Sequence, residues 1–199
     1  MENYLETAFT PAVRALQQRK GSRDIYEPGS VAPDALRTDE IEHITNRDSF
    51  YLATVSESGW PYVQHRGGDI GFVTVLGPTT IGWIERTGNR QYLGSGNITA
   101  DDRISAIFVD YPNRTRLKIR GRATHHSEPT RELVEALGGE ALRNDGAITV
   151  EIIATDWNCP KYITPRYTAD QVAAAIEPLQ ARIDQLEAQL NERPHKETP

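Results

Sequence analysis

Between Phe50 and Arg122 the chain repeatedly alternates apolar and polar residues with a period of two. That period can only be buried by a sheet with one covered face. FYLATVS and WPYVQHR are joined by Glu57-Ser58-Gly59, a hairpin pattern. Phe72 to Leu76 and Thr80 to Ile84 read as a second hairpin. Ile104 to Tyr111 is apolar enough for a central strand. A Tyr111-Pro112-Asn113 turn then leads into a run from Arg114 to His126, and Ala147 to Ala154 is the last strand. Only short helices are expected between these strands. Leu36, Ile41 and Ile44 mark one, Asn89 to Leu93 a short helix or turn, and Ser127 to Leu137 another, ending at Gly138-Gly139. Close strand spacing with so little helix favours an antiparallel barrel of about six strands over a βαβ layout.

The run RTRLKIRGR puts Arg114, Arg116, Lys118, Arg120 and Arg122 on one strand face, with Leu117 and Ile119 on the other. The whole chain carries a net charge of −6, which disfavours nucleic acid as a partner because counterion release rewards an overall basic surface. Local cations on an acidic protein suit one small anion, and a phosphorylated cofactor is the favoured reading. A solvated strand face or an edge guarded against aggregation is the alternative.

The single cysteine, Cys159, excludes an intramolecular disulfide and reads as buried or partly buried and inert. No two of the five histidines sit at metal-ligand spacing with a carboxylate, so no metal site is expected. Nucleophile elbows, Walker loops and dinucleotide fingerprints are missing from the sequence. The N-terminus shows no signal-peptide pattern and no apolar run reaches ~20 residues, so a cytoplasmic protein without a membrane span is expected.

Three regions follow: an arm at 1–33, with Thr10-Pro11 starting a helix; a barrel at 34–167; and a helical tail at 168–199. In the tail, Val172, Ile176, Leu179, Ile183, Leu186 and Leu190 are spaced 4-3-4-3-4. Ile at a and Leu at d favour a parallel two-stranded coil, against the alternative of a helix packed on its own barrel.

Gln64 and Arg66 share a strand face, and Gly67-Gly68 would let backbone approach a flat ring closely. Arg90, between Asn89 and Gln91, offers a charged fork with two amides, suited to phosphate and hydroxyl oxygens. The competing readings are a surface strand residue for Arg66 and a solvated helix-start residue for Arg90.

FYLATVSESGWPYVQHRGG, TGNRQYLGSGNI, LKIRGRA and DWNCPKYITPR, in that order across about residues 40–167, resemble the pyridoxamine 5′-phosphate oxidase-like flavin-binding split-barrel proteins. The resemblance implies a mainly β (α+β) fold: a six-stranded antiparallel split β-barrel, homodimeric, with FMN in each of two interfacial clefts. It implies Arg66, Asn89, Arg90 and Gln91 around the ribityl phosphate, and Val63, Gln64, His65 and Gly67 along the isoalloxazine edge. Arg116 would lie near the ring or chain, and Trp157, Asn158 and Lys161 would reach the cleft from the partner. His65 reads equally as a structural histidine, and Trp157 as core packing. The implied activity is FMN-dependent transfer of hydride or electrons to or from a small organic substrate, nicotinamide or oxygen. The alternatives are a deazaflavin-dependent reductase and a non-enzymatic flavin- or haem-binding carrier or sensor. Gln91 replaces the family's usual basic residue and the heptad tail replaces an Arg-rich closing segment. Vitamin B6 phosphate oxidation is therefore not implied.

Overall fold

The computed structural model describes residues 1–25, 35–86, 88–139 and 146–191. The connection expected at 26–33, Thr87, His195 and the polar end beyond Asn191 lie outside the described residues. Seven strands form one antiparallel sheet: β1 Ser49–Val55, β2 Pro61–Gly67, β3 Thr74–Val75, β4 Thr80–Ile84, β5 Arg103–Asp110, β6 Thr115–His126 and β7 Ala147–Trp157. Their order is β2-β1-β5-β6-β7-β4-β3. The expectation of six strands is corrected to seven. The extra one is β3, two residues long, paired to β4 through Thr74↔Gly82 and Val75↔Ile81. Phe72 and Val73, read as strand, precede it and serve the core instead.

The sheet is open in its hydrogen bonding but curls on itself. Phe50 of β1 stacks on Phe108 of β5 at 4.6 Å and meets Trp83 of β4 edge-on at 5.1 Å, although three strands separate β1 from β4 in the sheet. Inward residues Leu52, Ile81, Leu117, Ile119 and Ile148 complete the interior, each almost fully buried. Burying each such side chain stabilises by about 1.5–3 kcal/mol. This is the α+β arrangement expected, with short helices around a split barrel.

A β-bulge lies where β6 and β7 shift register between Arg120/Gly121. A Cβ at Gly121 would sit 2.6 Å from Val150 Cγ1 and 2.7 Å from the Glu151 carbonyl, so the bulge requires glycine there. The Ile153 carbonyl beside it accepts the Glu2 amide at 2.6 Å, which ties the N-terminus to the barrel. The arm carries α1 Tyr4–Ala8, capped by Asn3, and α2 Pro11–Lys20, capped by Thr10 with Pro11 at its first position, as the sequence predicts. Gly21, at φ 68°, ends α2.

Helix α3, Thr38–Thr45, packs against β3 and β5 and buries Glu40, His43 and Ile44. Buried Glu40 accepts the Arg37 amide at 2.9 Å and the Thr155 hydroxyl at 2.6 Å, fixing this helix to β7. Helix α4, Leu93–Ala100, starts where the sequence places the end of its short helix or turn. Gly94 and Gly96 hide the helical pattern, since glycine is a poor helix former. Helix α5, Arg131–Ala136, is capped by Thr130 and followed by Gly138 at φ 69°. Helix α6, Ala169–Asn191, has no buried residue. Among the described residues no helix is long and apolar enough to cross a membrane.

The cation ladder is shorter than its sequence suggests. Arg114 has φ 54° and sits in the turn before β6, so it does not continue the strand face. The other four do share the outer face, and each has a protein neighbour. Arg122 pairs with Asp102 at 2.6 Å and Lys118 with Asp156 at 2.7 Å. Tyr4 of α1 inserts its ring between Lys118 and Arg120, 4.8 and 4.9 Å away, and Arg120 donates to the Thr7 hydroxyl. Arg116 donates to the Cys159 carbonyl at 3.4 Å. Cys159 is exposed, not buried, because the strand pattern ends at Trp157 and the chain leaves the barrel there.

Candidate functional site

Glu85 is the residue on which the site is built. It follows β4 in the same phase as inward-facing Ile81 and Trp83, and its side chain is 5% exposed. A carboxylate placed there demands a cation, and β2 supplies one. On β2 the side chains of Tyr62, Gln64 and Arg66 face one way and Val63, His65 and Gly67 the other. Arg66 Nη1 lies 2.7 Å from Glu85 Oε1, an ionic contact that ties edge strand β2 to the end of β4 across the barrel's open seam. The approach is close but not well directed as a hydrogen bond, since Glu85 Oε1 has none. Ser95, in the first turn of α4, donates its hydroxyl to Glu85 Oε2. His125 Nε2 is 3.7 Å from the same oxygen.

Above this pair is a hollow of about 200 Å³ lined by Tyr62, Gln64, Arg66, Glu85, Arg86 and the stretch from Gly88 to Ser95. Three guanidinium groups (Arg66, Arg86, Arg90) line it; Arg66 is paired with Glu85 and Arg86 with Asp69 at 3.0 Å just outside the hollow, which leaves the charge of Arg90 unbalanced. Arg66 Nε and Gln64 Oε1 are buried there without a hydrogen-bond partner. Burial of such atoms is costly unless something satisfies them. Tyr92 caps α4 with its backbone and makes no side-chain cap bond, so the positive end of that helix faces the hollow. The loop leading to it holds two non-glycine residues in the left-handed region, Arg90 at φ 59° and Tyr92 at φ 49°. Conformations of that kind are uncommon for such residues and concentrate at functional sites. Asn89 Oδ1 accepts the Gln91 amide at 3.1 Å, which fixes the loop locally. At Gly94 a Cβ would come within 2.9 Å of both Arg66 Nη2 and Gln64 Oε1, so glycine is what lets these two side chains lie against α4 in their present positions.

Of the sequence-predicted residues, Gln64, Arg66, Asn89, Arg90 and Gln91 therefore come together, although they are distant in the chain. Val63, His65 and Gly67 are on the opposite face of β2, where the His65 ring meets Tyr51 edge-on at 5.6 Å. Gly68 serves the core, since a Cβ there would lie 2.7 Å from Phe72. Arg116, Trp157, Asn158 and Lys161 do not line the hollow of their own chain. Trp157 packs edge-on against His43 at 4.8 Å, the Asn158 amide donates to the Arg116 carbonyl, and Lys161 lies over Tyr162. The sequence reading missed Glu85, Ser95, Gly94 and His125. Glu85 was recoverable from alternation alone, as the third member of the Ile81, Trp83 series. His125 was read as unsuited to chelation and, with His65 and His126, as a candidate axial ligand for haem, and its approach to Glu85 depends on the β6–β7–β4 order. Among the described residues no three His, Cys, Asp or Glu side chains are grouped to hold a metal ion.

The donor set fits the phosphate end of a flavin nucleotide. It offers a net positive hollow, the unsatisfied buried donor Arg66 Nε, a helix N-terminus, and a rim of Asn89, Arg90 and Gln91, while the unsatisfied acceptor Gln64 Oε1 suits a hydroxyl group.

Comparison with known proteins agrees with the architecture. No curated protein matches the chain. Among solved structures, HupZ of Group A Streptococcus is 16% identical, with a TM-score of 0.50 over 66% of this chain and 100% of that one. A Lactobacillus delbrueckii protein named for pyridoxamine 5′-phosphate oxidase is 22% identical, with a TM-score of 0.49 over 62% of this chain and 95% of that one. An F420 reductase is 21% identical, with a TM-score of 0.39 over 58% and 94%. The likeness to HupZ shows a shared fold. Residues 38–155 match the family described as Pyridoxamine 5'-phosphate oxidase, and that span holds the whole sheet but the end of β7, and every residue lining the hollow: the chain belongs to this family.

Proposed function

We propose that the protein is an FMN-dependent oxidoreductase. The observation that carries this reading is the convergence of Arg66, Arg90 and the start of α4 on one net-positive hollow with unsatisfied buried atoms. Arg66 and Arg90 hold the phosphate, with Asn89, Gln91 and Gln64 directed at the ribityl hydroxyls. When bound, the flavin supplies hydride or single-electron transfer, and the protein supplies binding, orientation and electrostatics. Glu85 keeps the Arg66 fork in place. Arg86 is paired with Asp69 at 3.0 Å and Arg66 with Glu85, so Arg90 is the cation of the hollow left for a ligand, which favours a phosphate-bearing nucleotide over uncharged riboflavin.

The functional unit in this reading is a homodimer. On the outer face of β2, β1 and β5, Val63, Tyr51, Ala53, Ile107 and Val109 form an apolar surface, with Val63 62% exposed. A second copy on that surface brings Trp157, Asn158 and Lys161 of one chain toward the other chain's hollow, which accounts for their distance from their own. A deazaflavin with an acidic tail draws less support, because Lys118, Arg120 and Arg122 are already engaged by Asp156, Tyr4, Thr7 and Asp102.

The test is FMN titration of the purified protein followed by turnover with reduced nicotinamide. Stoichiometric uptake with a perturbed flavin spectrum and consumption of the nicotinamide are expected. A protein that takes up no FMN refutes the assignment, and one that takes it up without any turnover is a carrier.

A further inference from the structure

Helix α6 shows its whole apolar seam to solvent. Val172, Ile176, Leu179, Ile183, Leu186 and Leu190 are 41–64% exposed, and none of the helix's 23 residues is buried. A helix with such a stripe gains its stability by burying it, because in proteins most helical stability comes from packing the amphipathic face rather than from intrinsic propensity. Its own barrel does not serve that purpose.

The start of the helix is nonetheless fixed in place. Thr168 and Gln171 exchange hydrogen bonds, the Thr168 amide to Gln171 Oε1 at 3.0 Å and the Gln171 amide to Thr168 Oγ1 at 3.2 Å. This reciprocal cap sets the first turn. Just before it, Arg166 lies over the Tyr111 ring at 4.8 Å, and Tyr111 directly follows β5, the strand whose Ile107 pairs with Tyr51 of β1. Tyr51 belongs to the exposed outer face of β1. The helix therefore leaves the barrel from the rim of that face.

We infer that α6 pairs with α6 of a second copy of this chain as a parallel, in-register two-stranded coil. Ile176 and Ile183 at a, with Leu179 and Leu186 at d, form the arrangement that selects two parallel strands over three or four. The charges are self-complementary in the same register. Arg182 falls at g and Glu187 at the following e, so a two-fold axis matches the cation of each helix with the anion of the other. Pro178 occupies c, on the outside of the seam, where its ring bends the helix without entering the interface. A different partner protein would leave the Arg182–Glu187 match unexplained. This pairing does not depend on which cofactor the barrel holds.

The test uses the full-length protein in a Cys159→Ser background, which removes the exposed native thiol. Ile183→Cys and Leu190→Cys place thiols at a positions, and Ala181→Cys places one at f. On mild oxidation of dilute protein, both a-position variants are expected to form disulfide-linked dimers roughly tenfold faster than the f variant, because a residues face each other across a parallel seam. Equal rates at all three positions overturn the proposal. So does linkage at only one of the two a positions, which is the mark of an antiparallel or displaced pair. FMN uptake by Ile176→Asp/Ile183→Asp reports on the barrel separately: retained binding alongside failed cross-linking sinks only the coil.

Discussion

Arg66 has two roles, and they can be separated. It neutralises buried Glu85 and it offers its remaining donors to the hollow. Arg66→Ala leaves a carboxylate buried without its cation, so it should destabilise the fold by about 3–5 kcal/mol. The double variant Arg66→Met/Glu85→Gln should recover most of that stability without recovering FMN affinity. Denaturant unfolding and flavin titration of the same samples read the two effects. Arg90 is exposed and has only the second role. Arg90→Ala should leave the unfolding midpoint nearly unchanged and weaken FMN binding by about 1.5–3 kcal/mol, the range for hydrogen bonds to charged groups. His43 adds a pH dependence. Burial lowers its pKa below the ordinary 6.5, partly opposed by its hydrogen bond to the Phe108 carbonyl. A histidine depressed in the folded state contributes stability that is complete above the unfolded value. That stability falls away as pH drops below 6.5 toward the folded value. Thermal unfolding followed from pH 8 to pH 5 should therefore show a falling midpoint, and His43→Gln should flatten the slope.

At the scale of elements, the strands were legible and the helix that completes the site was not. Alternation located β1, β2, β4, β5, β6 and β7 because one-sided burial leaves a period-two record. The same record placed Gln64 with Arg66. It did not reveal α4, whose Leu93-Gly94-Ser95-Gly96 start is conformationally weak on its own and is held by contacts distant in sequence. Ser95 bonds to Glu85 and Asn97 to Thr54. Nor could alternation show that the β6 cations were already engaged, since Tyr4, Asp102 and Asp156 reach them only through tertiary pairing. Gly94 gives a test at this level. The atoms a new Cβ would meet are the far ends of Arg66 and Gln64, which can swing aside. Gly94→Ala should therefore keep the fold within about 1 kcal/mol while displacing both side chains from the hollow and reducing FMN affinity. An unaltered affinity would mean those two groups do not contact the ligand.

For the whole molecule, sequence alone indicated the family, while the seam of the barrel required the structure. The ion pair between β2 and the end of β4 closes what the hydrogen-bonded sheet leaves open, and the hollow proposed to take the phosphate sits on that closure. If the outer face of β1, β2 and β5 is the subunit interface, Ile107→Asp should shift sedimentation from a dimer toward the 22.3 kDa monomer and lower flavin occupancy with it. A dimer that persists places the interface elsewhere. The most direct measurement of the central claim compares FMN with riboflavin, two ligands that differ only in the phosphate. The wild-type protein should bind FMN far more tightly, and Arg90→Ala should narrow the gap between them. Equal affinity for the two in the wild-type protein would contradict the assignment of this hollow as the phosphate site.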